Sequence, residues 1–340
     1  MTVLILTRSD DNECVVNVTR AVEARGGSVF RVDTDLFPTE LRLGVLLRPG
    51  GAARWLERGA GRELERVDLD RVTAVWHRRL NVGAAIPADM APDLREASRK
   101  ESRRALLGAV GSLDAFVLDP EARIRRAENK ELQLRLAASL GLLTPRTLIT
   151  NDPDAVRAFA ADCEGGIVAK MLSSFAVRDP QGRESVVFTS PVAPADLEDL
   201  DGLRYAPMTF QERVPKHLEL RVTVVGERAF AASIDSASRA GAEVDWRRKG
   251  LDLVEEWRTF ELPEEARLRI LALMDALGLN YGALDLVLTP DDRLVLLEVN
   301  PAGEFFWLER APGLPISDAL ADVLLGRVPR RGDARAGGLG

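Results

Sequence analysis

Apolar positions near the start of the chain fall into two short runs with an amphipathic stretch between them. Thr2–Thr7 is apolar at each central position, the pattern of a strand buried on both faces, and residues 28–32 read as the next strand. Residues 13–25 carry apolar side chains at helical spacing and stop at Gly26-Gly27. Strand, helix, glycine stop and strand make a βαβ unit, so a parallel sheet is expected here. Residues 41–47 and 62–69 are expected to form antiparallel strands around Pro49-Gly50-Gly51, and residues 74–79 another buried strand before a helix over 89–108. Asp119-Pro120 marks a boundary, after which 123–140 reads as one helix stopped by Gly141 with Pro145 beyond.

Downstream, 148–149 and 166–171 read as strands flanking a helix near 154–161. Residues 175–177 and 185–189 are expected to pair across the turn 179–182, and 194–200 to form a short acidic helix. Strands follow at 209–214, 218–225 and 228–234, with Gly226-Glu227 as a tight turn. A helix over 263–277 ends at Gly278, and 283–288 with 294–299 form a hairpin around 290–292. The whole is an α/β chain in three parts: a parallel domain over 1–119, a smaller domain over 120–205, a third over 206–329, and a disordered Arg/Gly-rich tail from 330 to 340.

Composition narrows the chemistry. With 340 residues, 46% hydrophobic and 29% charged, disorder, collagen and disulfide scaffolds are excluded. A formal net charge of −7 argues against a nucleic-acid partner, because that affinity rests on Lys and Arg neutralising phosphates. Cys14 and Cys163 lie far apart, and the two histidines, His77 and His217, do not join them at metal spacing. The early apolar run is too short for a secretory signal and no later one spans a bilayer, so the chain reads as cytoplasmic with no membrane partner. The loop 7–12 lacks G-x-G-x-x-G, which disfavours a dinucleotide.

The informative feature is an ordered series: Asn129-Lys130, Val168-Ala-Lys170, Gln211-Glu-Arg-Val214, Glu219-Leu-Arg221, Asp285 and Glu298-Val-Asn-Pro301. Asp285, Glu298 and Asn300 carry oxygen donors on the expected hairpin, the last two on one side of a strand because they stand two apart. Carboxylates gathered among apolar neighbours repel unless a cation sits between them, and hard oxygen ligands suit Mg²⁺ shared with nucleotide phosphates.

This series resembles the ATP-grasp superfamily of carboxylate ligases, and more closely the ligases that cyclise ribosomal peptides of the microviridin and plesiocin type, the graspetides. The opening Thr2-Val-Leu-Ile-Leu-Thr-Arg-Ser-Asp-Asp-Asn-Glu13, then Arg31-Val-Asp-Thr-Asp-Leu-Phe-Pro38, and Trp76-His-Arg-Arg79, with His77 replacing an aromatic residue, are similar to that group. So is Leu297-Glu-Val-Asn-Pro-Ala-Gly-Glu-Phe-Phe-Trp-Leu-Glu309, the most specific segment.

The resemblance implies ATP and Mg²⁺ as cofactors, a precursor peptide of leader plus core as partner, and a homodimer. Lys130 and Lys170 would hold phosphates, Lys170 lying also beside adenine. Gln211, Glu212 and Val214 would form the adenine hinge and Glu219 would hold the ribose. Arg221 and Arg247 would reach the phosphates and act in catalysis with Lys170, and Asp285, Glu298 and Asn300 would bind the metal. The segment 171–175 departs from the pattern, with serines and no glycine where many ATP-grasp enzymes carry a Gly-rich loop. Glu198 and Asp199, in a run with Asp196 and Asp201, are expected to receive an arginine of the leader, with Arg78 and Arg79 as the next place to look.

The expected reaction joins acid side chains of the precursor to Ser/Thr hydroxyls as ω-esters. Its alternatives are amide formation on a peptide or amino acid, and a nucleotide-sensing module without turnover. His217 reads as a partly exposed hinge residue, Arg123, Arg125 and Arg126 as a solvated helix start, and Phe305, Phe306 and Trp307 as core.

Overall fold

In the computed structural model, residues 1–11, 13–59, 64–172, 176–178, 184–186, 189–236 and 250–331 are described. The turn 179–182, most of the serine-containing loop, Arg247 and most of the Arg/Gly tail lie outside them.

The first strand, β1 (Thr2–Thr7), pairs in parallel with β2 (Ser28–Asp33) after helix α1 (Glu13–Ala24). A three-stranded antiparallel sheet follows: β3 (Leu41–Arg48), β4 (Gly51–Arg58) and β5 (Glu65–Asp68). The two strands expected at 41–47 and 62–69 are therefore not direct partners: β4 lies between them, its Gly-Ala-Ala-Arg opening shows no alternation, and it is held by ladders on both sides. Strand β6 (Val72–His77), helix α2 (Pro92–Gly111) and β7 (Phe116–Leu118) complete a parallel sheet ordered β2-β1-β6-β7. Alternate residues of β1 serve two cores: Val3 and Ile5 face α1, while Leu4 and Leu6 pack with Leu106, Ala109 and Val110 of α2.

Where one helix was expected over 123–140, there are two, α3 (Glu121–Ala127) and α4 (Lys130–Ser139). Asn129 separates them because its side-chain oxygen accepts the Leu132 amide at 3.1 Å, an N-cap that starts a new helix. A second sheet, ordered β12-β9-β13-β8, is built from β8 (Thr147–Thr150), β9 (Ile167–Lys170), β12 (Ser190–Pro191) and β13 (Met208–Glu212), with helix α5 (Pro153–Ala161) packed on it. The hairpin β10 (Ala176–Arg178) and β11 (Glu184–Val186) is antiparallel as expected. The acidic segment forms only a 3-10 turn, Pro194–Leu197, whose Asp196 accepts the Ala193 amide at 2.7 Å.

The last sheet is ordered β16-β15-β14-β17-β18: β14 (Leu218–Val225), β15 (Arg228–Ile234), β16 (Arg258–Thr259), β17 (Tyr281–Leu288) and β18 (Leu294–Asn300). One face packs on α4 and α6 (Glu264–Leu277), the latter closed by Gly278 at φ 75°. Helices α7 (Phe306–Arg310) and α8 (Ile316–Leu324) follow, and α8 lies against α1. Arg25 binds Asp318 and Asp322 of α8, each at 2.8 Å.

Asp119 ties the first sheet to the last. Its carboxylate accepts the Asn280 backbone N–H at 3.0 and 2.8 Å, the Asn280 side-chain amide at 3.1 Å and the Tyr281 N–H at 2.9 Å. Burial pushes its carboxyl up to about 6 against the pull of these donors.

Candidate active site

Three neighbouring strands bring Arg221, Asp285 and Glu298 into one row, since Arg221 pairs with Asp285 and Asp285 with Glu298. A bulge makes this possible. The register slips after Asp285, so that Leu286 pairs with Leu296 and Leu297 is the extra residue. Leu296 and Val299, three apart, can then both enter the core beneath the sheet, while Glu298 and Asn300 share the opposite face. Asn300 donates from Nδ2 to Asp285 at 3.2 Å and to Glu298 at 3.1 Å, so both carboxylates converge on one point. Arg221 donates to Asp285 at 2.6 Å and to the Glu304 carbonyl at 3.1 Å, with its guanidinium 5.5 Å from the Trp307 ring centre. Its Nε is buried without a partner among the described residues, which leaves it further donor capacity.

Lys130 is the first residue of α4, and its ammonium meets Glu298 at 2.8 Å. Gln133, one turn on and fully buried, fixes that approach by donating to the Val299 carbonyl at 2.8 Å and accepting the Val299 N–H at 2.9 Å. Its role was not foreseen from sequence, because a lone glutamine in a helix carries no signal until its strand partner is known. Lys170 ends β9. Burial alone would favour a neutral Glu298, but the fields of Lys130 and Lys170 and the hydrogen bonds from Lys130 and Asn300 outweigh it. The carboxyl is held well below the usual range and is ionised at neutral pH.

The expected hinge runs off the end of β13. Gln211 is buried and donates to Thr147 at 3.0 Å, the Glu212 amide bonds to the Arg146 carbonyl at 3.0 Å, and Val214 lies just beyond the strand. Glu219, on the same face of β14 as Arg221, accepts from Lys216 and from the Ser236 hydroxyl. His217 is exposed, as expected. Glu198 and Asp199 are exposed beside the 194–197 turn.

Arg78 and Arg79 have different surroundings. Arg78 is only 2% exposed, contacts Glu304 at 2.7 Å and donates to the Ala302 carbonyl, whereas Arg79 is half-buried and pairs with the other oxygen of Glu304. Arg78 therefore braces the turn that follows Asn300, a role hidden in sequence because its partners stand more than 200 positions away. Cys14 donates to Glu304 at 3.0 Å, and burial with the adjacent carboxylate pushes its thiol up to about 12, so it is no nucleophile. Gly303 leaves room for this packing: a Cβ there would lie 2.7 Å from Nη2 of Arg221 and 2.5 Å from Ala283. Phe305 and Trp307 are core, as expected. Neither ring nitrogen of His77 has a hydrogen-bond partner among the described residues, and burial pushes the imidazole down to about 4.

The donor set fits a hard cation. Two carboxylates and an amide, whose oxygen can replace its nitrogen by rotation, converge beside lysine and arginine charges suited to phosphates. Among the described residues no group of three or more His, Cys, Asp or Glu forms, so such an ion would depend on the amide and on phosphate oxygens.

Similarity to known proteins fits this geometry. The macrocyclase MdnC of Microcystis aeruginosa MRC, solved with its precursor peptide MdnA, is 45% identical, covering 96% of this chain and all of its own, with a TM-score of 0.86. The chain belongs to the ATP-grasp macrocyclases. The family model of the MvdD pre-ATP grasp domain matches residues 2–125 of this chain. A RiPP-associated ATP-grasp ligase of Chryseobacterium gregarium, solved with ADP and leader and core peptides, is 36% identical over 98% of this chain and 99% of its own, at a TM-score of 0.92. A probable alpha-L-glutamate ligase of Teredinibacter turnerae is 27% identical over 62% of this chain and 68% of its own length. Among the described residues no helix is long and apolar enough to cross a membrane.

Proposed function

We propose that this ligase activates Glu or Asp side chains of a ribosomally made precursor peptide and joins them to Ser or Thr hydroxyls as ω-esters, using ATP and Mg²⁺. The observation that carries the reading is the aligned Arg221, Asp285 and Glu298 row with Lys130 seated on it. Lys130 and Lys170 bind the phosphates, Gln211, Glu212 and Val214 line the adenine, and Glu219 takes the ribose. Asp285, Glu298 and Asn300 would hold Mg²⁺, which supplies charge neutralisation at the phosphates.

A peptide carboxylate oxygen attacks the γ-phosphorus, the bond to the bridging oxygen breaks and ADP leaves with its electrons. A hydroxyl oxygen then attacks the acyl carbon, its proton is lost and phosphate departs. Arg221 offers its guanidinium to the negative charge that develops, and Arg247 is proposed to join it. Lys170 acts in both binding and transfer. The three-part division at 119, 205 and 329, a homodimer and a cytoplasmic setting belong to the same reading. The leader is proposed to dock on Glu198 and Asp199, which are exposed and free of the hinge.

Amide formation is the second reading, favoured by the likeness to an alpha-L-glutamate ligase. Incubation with ATP, Mg²⁺ and a precursor peptide decides between them. ω-Ester rings release ADP, lose one water per ring and open in mild base or hydroxylamine, whereas base-stable rings mean amides. AMP as product would overturn the γ-phosphoryl transfer itself.

A further inference from the structure

The turn that carries the chain from Asn300 to α7 is held by its carbonyls. Ala302 accepts from Arg78, which stands just past β6. Gly303 accepts the Tyr281 hydroxyl at 2.6 Å and Arg78 at 3.4 Å, and Glu304 accepts Arg221 at 3.1 Å. Three consecutive carbonyls therefore meet side chains from three separate parts of the chain. The Gly303 amide closes the turn on the Asn300 carbonyl at 3.2 Å.

Tyr281 stands where it can set this turn. It opens β17, and Tyr281, Ala283 and Asp285 share one face of that strand because alternate residues do. Gly303 lies over Ala283, so close that a Cβ on it would come within 2.5 Å. The turn is thus gripped by Tyr281 on one side of Ala283 and by Arg221 on the other, where Arg221 also donates to Asp285 at 2.6 Å. Tyr281 is itself fixed at both ends: its N–H donates to Asp119 at 2.9 Å, and its buried ring lies 6.1 Å from that of Phe305. Burial pushes its phenol above the ordinary 10, so the hydroxyl stays a donor at neutral pH.

We infer that Tyr281 is a positioning residue for phosphoryl transfer: its hydroxyl sets the 302–304 turn so that the Glu304 carbonyl holds Arg221 beside Asp285. The inference rests on the ligase reading, in which Arg221 meets the charge that develops at the phosphoryl group. A guanidinium on a long side chain has to be aimed before that charge forms, or part of its benefit is spent on ordering it. Asp285 fixes Nη1 of Arg221 and the Glu304 carbonyl fixes Nη2. Loosening the turn leaves one tether, about which the guanidinium can swing. A phenylalanine would fill the same space against Phe305, so the hydroxyl and not the ring carries this role.

The test uses the full-length chain with Mg²⁺ and mant-labelled ADP, titrated with and without aluminium fluoride, a mimic of the phosphoryl group in flight. Tyr281→Phe should cut the tightening brought by aluminium fluoride about tenfold, with affinity for mant-ADP alone changed by less than about twofold. Arg221→Lys should cut it at least as far. In the Arg221→Lys background Tyr281→Phe should cost nothing more, because the hydroxyl acts through Arg221. A hydroxyl that served only the packing would lower the melting temperature and leave the tightening intact, or would take the same toll in both backgrounds, and either result overturns the positioning role alone. If aluminium fluoride fails to tighten mant-ADP on the wild type, the reading of Arg221 in phosphoryl transfer falls and Tyr281 falls with it.

Discussion

Two carboxylates of this chain, the buried Asp119 and the half-buried Glu298, are stabilised by opposite means. Asp119 is surrounded by N–H groups of Asn280 and Tyr281 fixed by the backbone, and burial still pushes its carboxyl up to about 6. Glu298 is faced by Lys130, Lys170 and the Asn300 amide, and is held well below the usual range. Fixed dipoles make a joint that nothing else can enter. Cationic side chains make a place suited, on the proposed reading, to a metal and phosphates, so the difference sets a structural acid against one proposed to be functional.

The largest effect expected is on turnover. Glu298→Gln keeps the size of the side chain and removes its charge, and should lower kcat by about 10²–10³-fold while the melting temperature stays near wild type. Full ADP release by that variant would erase the contrast. Asp119→Ala should do the reverse, costing about 3 kcal/mol in urea unfolding because several buried donors lose their acceptor, with nucleotide affinity of the folded fraction retained.

A pH series sharpens the comparison. His77 stays neutral in the fold down to about 4, whereas an ordinary histidine takes its proton near 6.5, so its contribution is lost as pH falls through that window. Asp119 runs the other way: its folded value of about 6 lies above the ordinary 3.8, and its contribution is lost as pH rises from about 4 to 6. The two nearly offset. His77→Phe should therefore unmask a fall in stability of up to about 3 kcal/mol between pH 4 and 6, which urea midpoints at each pH would detect. A flat profile in that variant would mean that Asp119 is ionised throughout.

The smallest effect concerns Gly303. An added methyl in Gly303→Ala would press on Arg221 and Ala283 and shift the guanidinium from Asp285, lowering kcat about tenfold with little change in ATP affinity. Unchanged kcat would show that Arg221 adapts.

Much of this was legible in sequence where the signal is local. Strand β1 matches its apolar run from end to end, and Glu298 with Asn300 share a face because two residues separate them. What was hidden depends on distant partners or on a single backbone event. Asp119 looks like a boundary residue until Asn280 is brought beside it, and the bulge at Leu297 lies inside an unbroken apolar run that gives no warning. The break between α3 and α4 could have been found, since Asn129 is a preferred N-cap residue and Glu131 puts an acid in the first turn, a signal that the surrounding helical periodicity masks.

The pairing of α1 with α8 sets a condition on how the molecule is made. The face of α1 that carries Cys14, Val15, Val18 and Val22 shares its core with Leu320, Val323 and Leu324, about 300 positions downstream. At roughly 5–20 residues per second, a ribosome leaves that face uncovered for about 15–60 s after α1 emerges. A nascent chain in that interval presents a valine stripe to solvent, so truncation before α8 should yield a fragment that depends on chaperones or aggregates.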